Sequence, residues 1–262
     1  MPTLSSTGSI PLIGPFESMF LRDLLARLMA LWALLSFVVS FLIILIPSLL
    51  CGLIPNPAGQ DKFIRIAKGW IHVWLRLVGC PPRIIGRSNF APGQAYIVVC
   101  NHNSYMDAPM TSPFIPGPNK TIAKAALAKV PIFRWYYKMG GVMVDRNDPN
   151  SRRRSYEEMR SVLATGMHMC IYPEGTRNRT SEPLKPFYDG AFKLSIDTGK
   201  SILPAVLFHT RNILSPNRAF YFQPHPIELH FLEPISPVGE TVDTLRDKTS
   251  QTMAAYYLSH PH

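Results

Sequence analysis

The hydrophobic pattern of the chain begins with an apolar run near the N-terminus. From Leu28 to Gln60 the sequence contains no Asp, Glu, Lys or Arg. The part from Leu28 to Ile46 would form a helix of roughly 28 Å, close to the ~30 Å hydrocarbon thickness of a bilayer. Such a run is longer than the apolar region of a cleavable signal peptide. It predicts a membrane-associated helix, which Pro47 should kink or end.

Three arrangements of this helix fit the pattern. It could span the bilayer, or it could kink and return within one leaflet, as Pro47, Pro55 and Pro57 would allow. The third arrangement is a buried core helix, although core helices are rarely apolar on every side. For a spanning helix, the positive-inside rule places the rest of the chain in the cytoplasm, as expected at a bacterial inner membrane. The basic residues behind that rule are Arg22 and Arg27 before the run and Lys62, Arg65, Lys68 and Arg76 after it.

A second segment, Lys62–Cys80, mixes basic and apolar residues at helical spacing. This pattern is typical of an amphipathic helix at the headgroup level, with Trp70 and Trp74 as interface anchors. A helix packed on the protein core is an equally good interpretation. We therefore divide the chain into residues 1–82, an N-terminal membrane anchor with an interfacial helix, and residues 83–262, a globular domain.

The rest of the chain alternates short apolar segments with amphipathic ones. The apolar segments predict strands, and the amphipathic segments predict helices. This alternation indicates an α/β fold in which a mixed, largely parallel sheet is covered by helices. The predicted strands are Ala95–Cys100, Gly141–Asp145, His168–Tyr172, Ile202–Phe208 and Ile227–Leu232, and the predicted helices are Tyr105–Ser112, Ile132–Met139, Ser151–Thr165, Ala191–Thr198 and Thr244–Ser259.

The composition adds a basic charge to this picture. The 262 residues carry a net charge of +10 and the pI is near 9.6, although only 17% of the residues are charged. Nine Lys and Arg but only two acidic residues lie between Lys120 and Arg154. A basic surface beside an apolar N-terminus predicts an anionic partner, such as lipid headgroups, phosphates or an acidic protein. We expect no nucleic-acid partner, because the chain has no recognised nucleic-acid-binding motif.

The residues that commonly bind metals are scattered. None of the four cysteines lies in a C-x-x-C pair or at the spacing of zinc ligands, so we expect free thiols in a reducing compartment. The histidines other than His102 show no ligand spacing either. The sequence therefore predicts no metal site.

One polar cluster, Asn101–Asp107, follows the first strand of this alternation. Side chains five residues apart in one helix point away from each other. His102 and Asp107 can therefore meet only if the histidine lies in the turn and the aspartate in the first turn of the helix. The carboxylate would then orient a histidine that serves as a general base. The alternative is structural, because Ser104 to Asp107 also fits the S-x-x-D pattern of helix capping.

A second polar cluster, Pro-Glu-Gly-Thr-Arg, follows another predicted strand. Gly175 permits close approach of the backbone, Thr176 offers a hydroxyl group, and Arg177 offers a guanidinium fork that matches phosphate. The alternative is a simple turn with a Glu174–Arg177 ion pair, which contributes little when exposed.

Together these clusters resemble a known family. The pattern N-H-x-x-x-x-D followed by P-E-G-T-R is similar to that of the glycerolipid acyltransferases, in particular the 1-acylglycerol-3-phosphate (lysophosphatidic acid) acyltransferases. Lys124–Arg146 resembles the second conserved block of this family and Ser201–Phe208 the fourth. Pro186–Leu194 matches the start of a family helix. The resemblance covers roughly Lys68 to Phe208.

The resemblance implies that residues 83–262 form an acyltransferase domain in which the two main motifs face each other. It implies transfer of a fatty acyl group from a thioester, either acyl-coenzyme A or acyl-carrier protein, to the sn-2 hydroxyl of lysophosphatidic acid. The product would be phosphatidic acid for phospholipid biosynthesis. No cofactor or metal is expected, because the acceptor hydroxyl attacks the thioester directly.

The resemblance also implies roles for individual residues. The catalytic residues would be His102, which takes the hydroxyl proton, and Asp107, which holds the imidazole ring. The other residues would bind substrate: Arg177, Lys124 and Arg146 the acceptor phosphate, and Glu174, Gly175 and Thr176 the glycerol backbone.

Three positions depart from the family pattern. Ala126 stands where an acidic residue is usual, Phe133 where glycine is common, and Tyr172 where phenylalanine usually precedes P-E-G-T-R. The first two leave another acceptor open: a lysophospholipid, a lyso-aminolipid or glycerol 3-phosphate. Arg152–Arg154 is the part of the basic stretch that we expect to contact anionic lipid and an acidic acyl donor.

Overall fold

The computed structural model describes residues 15–126, 130–215 and 217–260. Its centre is a seven-stranded sheet with the order β1-β7-β6-β2-β5-β3-β4. All neighbouring strands are parallel except β6 and β7, which are antiparallel. This mixed, largely parallel sheet confirms the predicted fold class. The strands are β1 Pro82–Ile85, β2 Ile97–Cys100, β3 Asn119–Lys124, β4 Gly141–Val144, β5 His168–Ile171, β6 Ile202–Phe208 and β7 Ile227–Phe231.

Helices cover both faces of this sheet. Because strand side chains alternate between faces, Val98 and Cys100 belong to one apolar core, and Ile97 and Val99 belong to the other. Helices α1 to α4 pack on the first face, and α5, α6 and α8 on the second. The helices are α1 Pro15–Leu50, α2 Ala58–Leu77, α3 Asp107–Thr111, α4 Phe133–Gly140, α5 Pro149–Ala164, α6 Gly190–Thr198, α7 Thr210–Ile213 and α8 Val242–Ser259.

The predicted elements are recovered with small shifts at their ends. Strand β6 has the predicted bounds, Ile202–Phe208. Strands β1 and β3 and the short helix α7 were not predicted. Residues 127–129 of the predicted second family block lie outside the described residues.

The apolar N-terminal run forms a single helix that continues three residues beyond Pro47 and ends at Leu50. It is long and apolar enough to cross a membrane, with a mean hydropathy of 2.8. The chain then turns, and α2 runs back along α1. Three tryptophan indoles of this hairpin donate hydrogen bonds between the two helices: Trp32 to the Leu77 carbonyl at 3.3 Å, Trp74 to Ser36 Oγ at 3.2 Å and Trp70 to Ser40 Oγ at 2.9 Å.

One side of α1 lies on the protein along most of its length. Ala26, Ala30, Ala33 and Phe41 are buried, and Asp23 accepts hydrogen bonds from the side chains of Arg218 and Tyr221. Many large apolar residues on the remaining sides of α1 are exposed. Both α1 and its return therefore lie along the same face of the sheet, with an apolar surface directed outward.

Helix α2 corrects one expectation. Trp70 and Trp74 are buried against α1 and the sheet, so the prediction that they anchor in lipid headgroups is wrong. The interpretation of α2 as a helix packed on the core holds. Its exposed side carries all four basic residues of the segment: Lys62, Arg65, Lys68 and Arg76. The proposed boundary between residues 82 and 83 stays a prediction.

Candidate active site

Two loops meet at one edge of the sheet because their strands are neighbours. Strands β2 and β5 are parallel and adjacent, so their carboxyl ends lie side by side. The loop with His102 follows β2, and the loop with Glu174 follows β5. The backbone amide of Asn178 donates to the His102 carbonyl at 2.6 Å, which ties the two loops together. The carboxyl edge of a parallel sheet is where ligand sites form in α/β folds.

His102 and Asp107 are joined as the motif spacing predicts. His102 lies in the turn after β2, and Asp107 is the first residue of α3. His102 Nδ1 lies 2.7 Å from Asp107 Oδ2. Because a carboxylate only accepts hydrogen bonds, Nδ1 is the donor, and the lone pair of the neutral ring is at Nε2. The histidine side chain is 21% exposed and the aspartate side chain is fully buried.

The predicted helix cap at Ser104 is not formed, because α3 begins at Asp107 after Met106 and no side chain caps it. Oδ2 of Asp107 also accepts the backbone amides of Asn103 at 2.6 Å and Ser104 at 2.7 Å. Its other oxygen, Oδ1, has no hydrogen-bond partner among the described residues. One carboxylate oxygen therefore shapes the turn and orients the histidine at the same time.

Asn101 fixes the start of this turn. Its side-chain amide donates to the Leu207 carbonyl at 3.0 Å, and its side-chain oxygen accepts the Leu207 amide at 2.7 Å. Asn101 is fully buried, so this pair of bonds satisfies both ends of its amide group. The side chain thereby holds the histidine loop against strand β6.

Glu174 holds the second loop. It is 1% exposed, and its two oxygens accept the backbone amides of His102 at 2.7 Å and Lys185 at 3.0 Å. Burial raises the pKa of Glu174, and the two amide hydrogen bonds oppose that shift. These contacts link three chain segments; the predicted role in binding glycerol stays a prediction.

Tyr172 forms the wall behind the histidine. The His102 and Tyr172 rings stack with their centroids 4.5 Å apart. The phenol oxygen lies 2.5 Å from Thr111 Oγ1. Burial raises the pKa of Tyr172 well above its usual range, so the phenol stays protonated. The residue that departs from the family pattern thus keeps an aromatic face toward His102 and gives its hydroxyl a partner.

Gly175 lies where three segments converge. Its φ is +74°, a left-handed conformation that favours glycine. An added Cβ would lie 2.6 Å from the Tyr188 ring and 2.8 Å from Arg146 Nη1. The same guanidinium donates a hydrogen bond to the Gly175 carbonyl. A larger residue here would displace Arg146, one of the cationic side chains predicted to bind phosphate.

Cationic side chains surround the open side of the histidine. Arg177 stacks on the Tyr105 ring, with its guanidinium carbon 3.5 Å from the ring centroid. Lys185 donates to Thr176 Oγ1 at 2.7 Å. Five cations line one cavity together with His102, and no acidic side chain is among its described lining residues; the cations are Lys124, Arg146, Arg177, Arg179 and Lys185. The site therefore favours an anionic ligand.

This cavity extends from the polar loops into an apolar region. Its volume is about 1340 Å³. Beyond His102 it is bordered by apolar and aromatic residues of α1, α2 and α4, including Phe37, Trp70 and Tyr136. A cationic part joined to an apolar part matches a ligand with an anionic headgroup and a hydrocarbon chain.

The structure brings most of the predicted site residues together. His102, Gly175, Thr176, Arg177, Lys124 and Arg146 all line this cavity. Asp107 and Glu174 lie behind it and hold its loops. Sequence reasoning missed Lys185, Arg179 and the loop-organising Asn178; the signal available was their position within the residues that follow P-E-G-T-R.

Comparisons with known proteins find acyltransferases. The acyltransferase family model matches residues 82–208. A 1-acyl-sn-glycerol-3-phosphate acyltransferase of Chlamydomonas reinhardtii is 27% identical over 260 residues, which cover 96% of this chain and 76% of that protein. The enzyme of the same name from Saccharomyces cerevisiae is 28% identical over 220 residues, covering 79% of this chain and 71% of that protein.

The fold is also that of a solved structure. The crystal structure of a 1-acyl-sn-glycerophosphate acyltransferase from Thermotoga maritima superposes with a TM-score of 0.74. It covers 92% of this chain and 96% of its own, at 22% sequence identity. With the family model, the sequence relatives and the fold in agreement, residues 82–208 of this chain match the acyltransferase domain, and the protein is an acyltransferase.

Proposed function

We propose that this enzyme transfers a fatty acyl group from an acyl thioester to the sn-2 hydroxyl of 1-acylglycerol 3-phosphate, forming phosphatidic acid. The observation that carries the proposal is the 2.7 Å His102–Asp107 pair at a cavity that has both a cationic part and a large apolar part. Relatives from an alga and a yeast are named for the same acceptor.

The proposed chemistry needs one base. Nε2 of His102 takes the proton of the acceptor hydroxyl as its oxygen attacks the thioester carbonyl carbon. The tetrahedral intermediate collapses by breaking the carbon–sulfur bond, and the imidazolium returns the proton to the leaving thiolate. Asp107 holds the ring with Nε2 free and stabilises its charged form. General-base help of this kind typically gives about 10²- to 10⁴-fold acceleration.

In this proposal the cations position the acceptor. Arg177 binds its phosphate, and Lys124 and Arg146 add positive charge. The Tyr105 ring beneath Arg177 fixes the plane of the guanidinium. Gly175 and Thr176 border the glycerol, and Glu174 holds their loop through its two backbone contacts. No cofactor or metal takes part in these steps.

The acyl donor is proposed to be acyl-coenzyme A or acyl-carrier protein. Both are acidic, and Arg152–Arg154 form an exposed basic run on the first turns of α5. Asp148 caps this helix by accepting the Asn150 amide at 2.9 Å. Arg146, which lines the cavity, lies shortly before this basic run in the sequence. We propose that it receives the acidic part of the donor.

The enzyme is membrane-associated through its apolar N-terminal helix. We propose that α1 lies within one leaflet, because α2 returns along it and both pack on the same face of the sheet. The active site would then lie at the surface that holds both lysolipid and product. Location at a bacterial inner membrane, with the domain in the cytoplasm, stays a prediction.

A second acceptor class is favoured by one position. Ala126 replaces the acidic residue that is usual in the family's second block. The alternative is the same chemistry on a lysophospholipid, a lyso-aminolipid or glycerol 3-phosphate. An acceptor-competition assay separates the two, since transfer that needs no acceptor phosphate would exclude lysophosphatidic acid as the preferred acceptor.

The test is acyl transfer by detergent-purified protein. Labelled lysophosphatidic acid is supplied with acyl-coenzyme A or acyl-carrier protein to the native chain and to His102→Ala. We expect phosphatidic acid from the native chain and a loss of about 10²-fold or more in a folded variant. Equal activity in both proteins would make His102 a structural turn residue. Inactivity of both toward this acceptor, with transfer to another lysolipid, would support the alternative.

A further inference from the structure

Helix α4 has two unlike faces. Phe133, Tyr136 and Tyr137 point inward and line the cavity. On the other side, Arg134, Trp135 and Lys138 are exposed. Trp135 is 50% exposed, whereas Trp70 and Trp74 are buried. A tryptophan between two cations on an outward helix face is typical of a helix in the headgroup layer of a membrane.

The approach to α4 extends this apolar surface. Val130 and Ile132 are exposed large apolar residues immediately before the helix. The guanidinium carbon of Arg134 lies 5.6 Å from the centroid of the Trp135 ring. From Lys124 to Val144 the sequence contains no Asp or Glu. The segment therefore offers apolar side chains and positive charge together, which matches an anionic lipid surface.

This surface adjoins the apolar helix that already associates with the membrane. Phe133 of α4 stacks on Phe41 of α1 with ring centroids 4.2 Å apart. Residues that follow Phe41 on α1, including Leu42 and Ile46, are exposed. The outward face of α4 thus continues the exposed apolar surface of α1.

We propose that the outward face of α4, formed by Ile132, Arg134, Trp135 and Lys138, is a second membrane contact seated in the headgroup layer of an anionic bilayer. The inward face of the same helix lines the cavity. With this contact in place, only α4 would lie between the bilayer and the cavity. The proposal concerns where the protein touches the membrane and does not rest on the identity of the acceptor.

The test measures the environment of residue 135 in the full chain. Trp135→Cys is labelled with an environment-sensitive fluorophore and reconstituted into vesicles of phosphatidylcholine with phosphatidylglycerol. Leu258→Cys is the matched control, because it is an exposed apolar residue on α8, at the opposite face of the sheet. The four native cysteines are buried, and the labelled native chain gives the background.

We expect spin-labelled lipids to quench the probe at position 135 several-fold more than the probe at position 258, and aqueous iodide to do the reverse. Lipid quenching at 135 should fall when phosphatidylglycerol is omitted, and when Arg134→Gln and Lys138→Gln are combined. Ile132→Cys gives the same readout should the Trp135 variant fail to fold. Equal iodide quenching at both positions would overturn the proposal. Shielding from iodide without lipid quenching would also overturn it, in favour of a protein contact.

Discussion

Two histidines lie against tyrosine rings at opposite ends of neighbouring strands, and they differ in almost everything else. His102 follows β2, is partly exposed, and is paired with a buried carboxylate. His168 begins β5 and is buried, and its Nδ1 accepts the Tyr96 amide at 3.0 Å. Burial lowers the pKa of His168 to about 4. A histidine therefore becomes a candidate base through a partner carboxylate and access to a cavity, and the imidazole alone is not enough.

Asp107→Asn should have the largest effect, because it leaves His102 without the carboxylate that distinguishes it from His168. The asparagine oxygen can still accept the Asn103 and Ser104 amides, so the turn should persist. We expect kcat to fall about 10²-fold or more, since the ring loses its fixed tautomer and the partner of its charged form. Steady-state kinetics with lysophosphatidic acid measures this. An unchanged kcat would limit the role of Asp107 to shaping the turn through the Asn103 and Ser104 amides.

Acid should act on the other histidine through stability. His168 binds its proton near pH 4 when folded but near its ordinary value of 6.5 when unfolded, so the unfolded state binds more protons between these values. The free energy of unfolding is therefore unaffected by His168 above pH 6.5. It falls as the pH falls toward 4, by about 3 kcal/mol in total. Denaturant unfolding of the native chain and of His168→Gln measures it. Identical pH slopes for both proteins would refute this assignment.

Glu174→Gln tests the carboxylate that contacts the backbone of His102 rather than its imidazole ring. Glutamine offers one carbonyl oxygen where two backbone amides are now accepted, at His102 and Lys185. We expect the free energy of unfolding to fall by about 1–3 kcal/mol, because one buried amide loses its partner. The loss of kcat should be smaller than in Asp107→Asn. A larger kinetic loss at unchanged stability would instead place Glu174 in contact with substrate.

Tyr172→Phe should have the smallest effect. It restores the residue usual in the family, keeps the stack on His102 and removes one buried hydrogen bond to Thr111. Thr111 still donates to the Asp107 carbonyl at 3.0 Å. We expect a stability loss of about 1 kcal/mol and little change in kcat. A large drop in kcat would give the phenol hydroxyl a direct part in the reaction.

Much of this arrangement could be predicted from sequence because its signals are local. Apolar segments placed the central strands, and β6 was predicted with its observed bounds. The pairing of His102 with Asp107 followed from a strand, a turn and a helix start in succession. Arg177 could be named because a guanidinium group matches phosphate, and Lys124 and Arg146 could be named because their segment resembles the second block of the family.

The missed elements depend on contacts that are distant in sequence. Strand β3, Asn119–Lys124, is mostly polar, with Ile122 and Ala123 as its apolar residues, and its backbone pairing with β4 and β5 stabilises it. Strand β1 begins at Pro82 on the sheet edge, where a missing amide is tolerated. The burial of Trp70 and Trp74 reflects their packing against α1, which composition cannot distinguish from contact with lipid.

The position of β1 also bears on how the protein is made. This strand directly follows the α1–α2 hairpin, yet its neighbour in the sheet is β7, near the end of the chain. At typical synthesis rates of ~5–20 residues per second, the ribosome needs roughly 7 to 30 s to supply that partner. The hairpin therefore emerges with its apolar surface uncovered long before the sheet can close. Early delivery of the nascent chain to a bilayer would protect it from aggregation, so this topology favours targeting during translation.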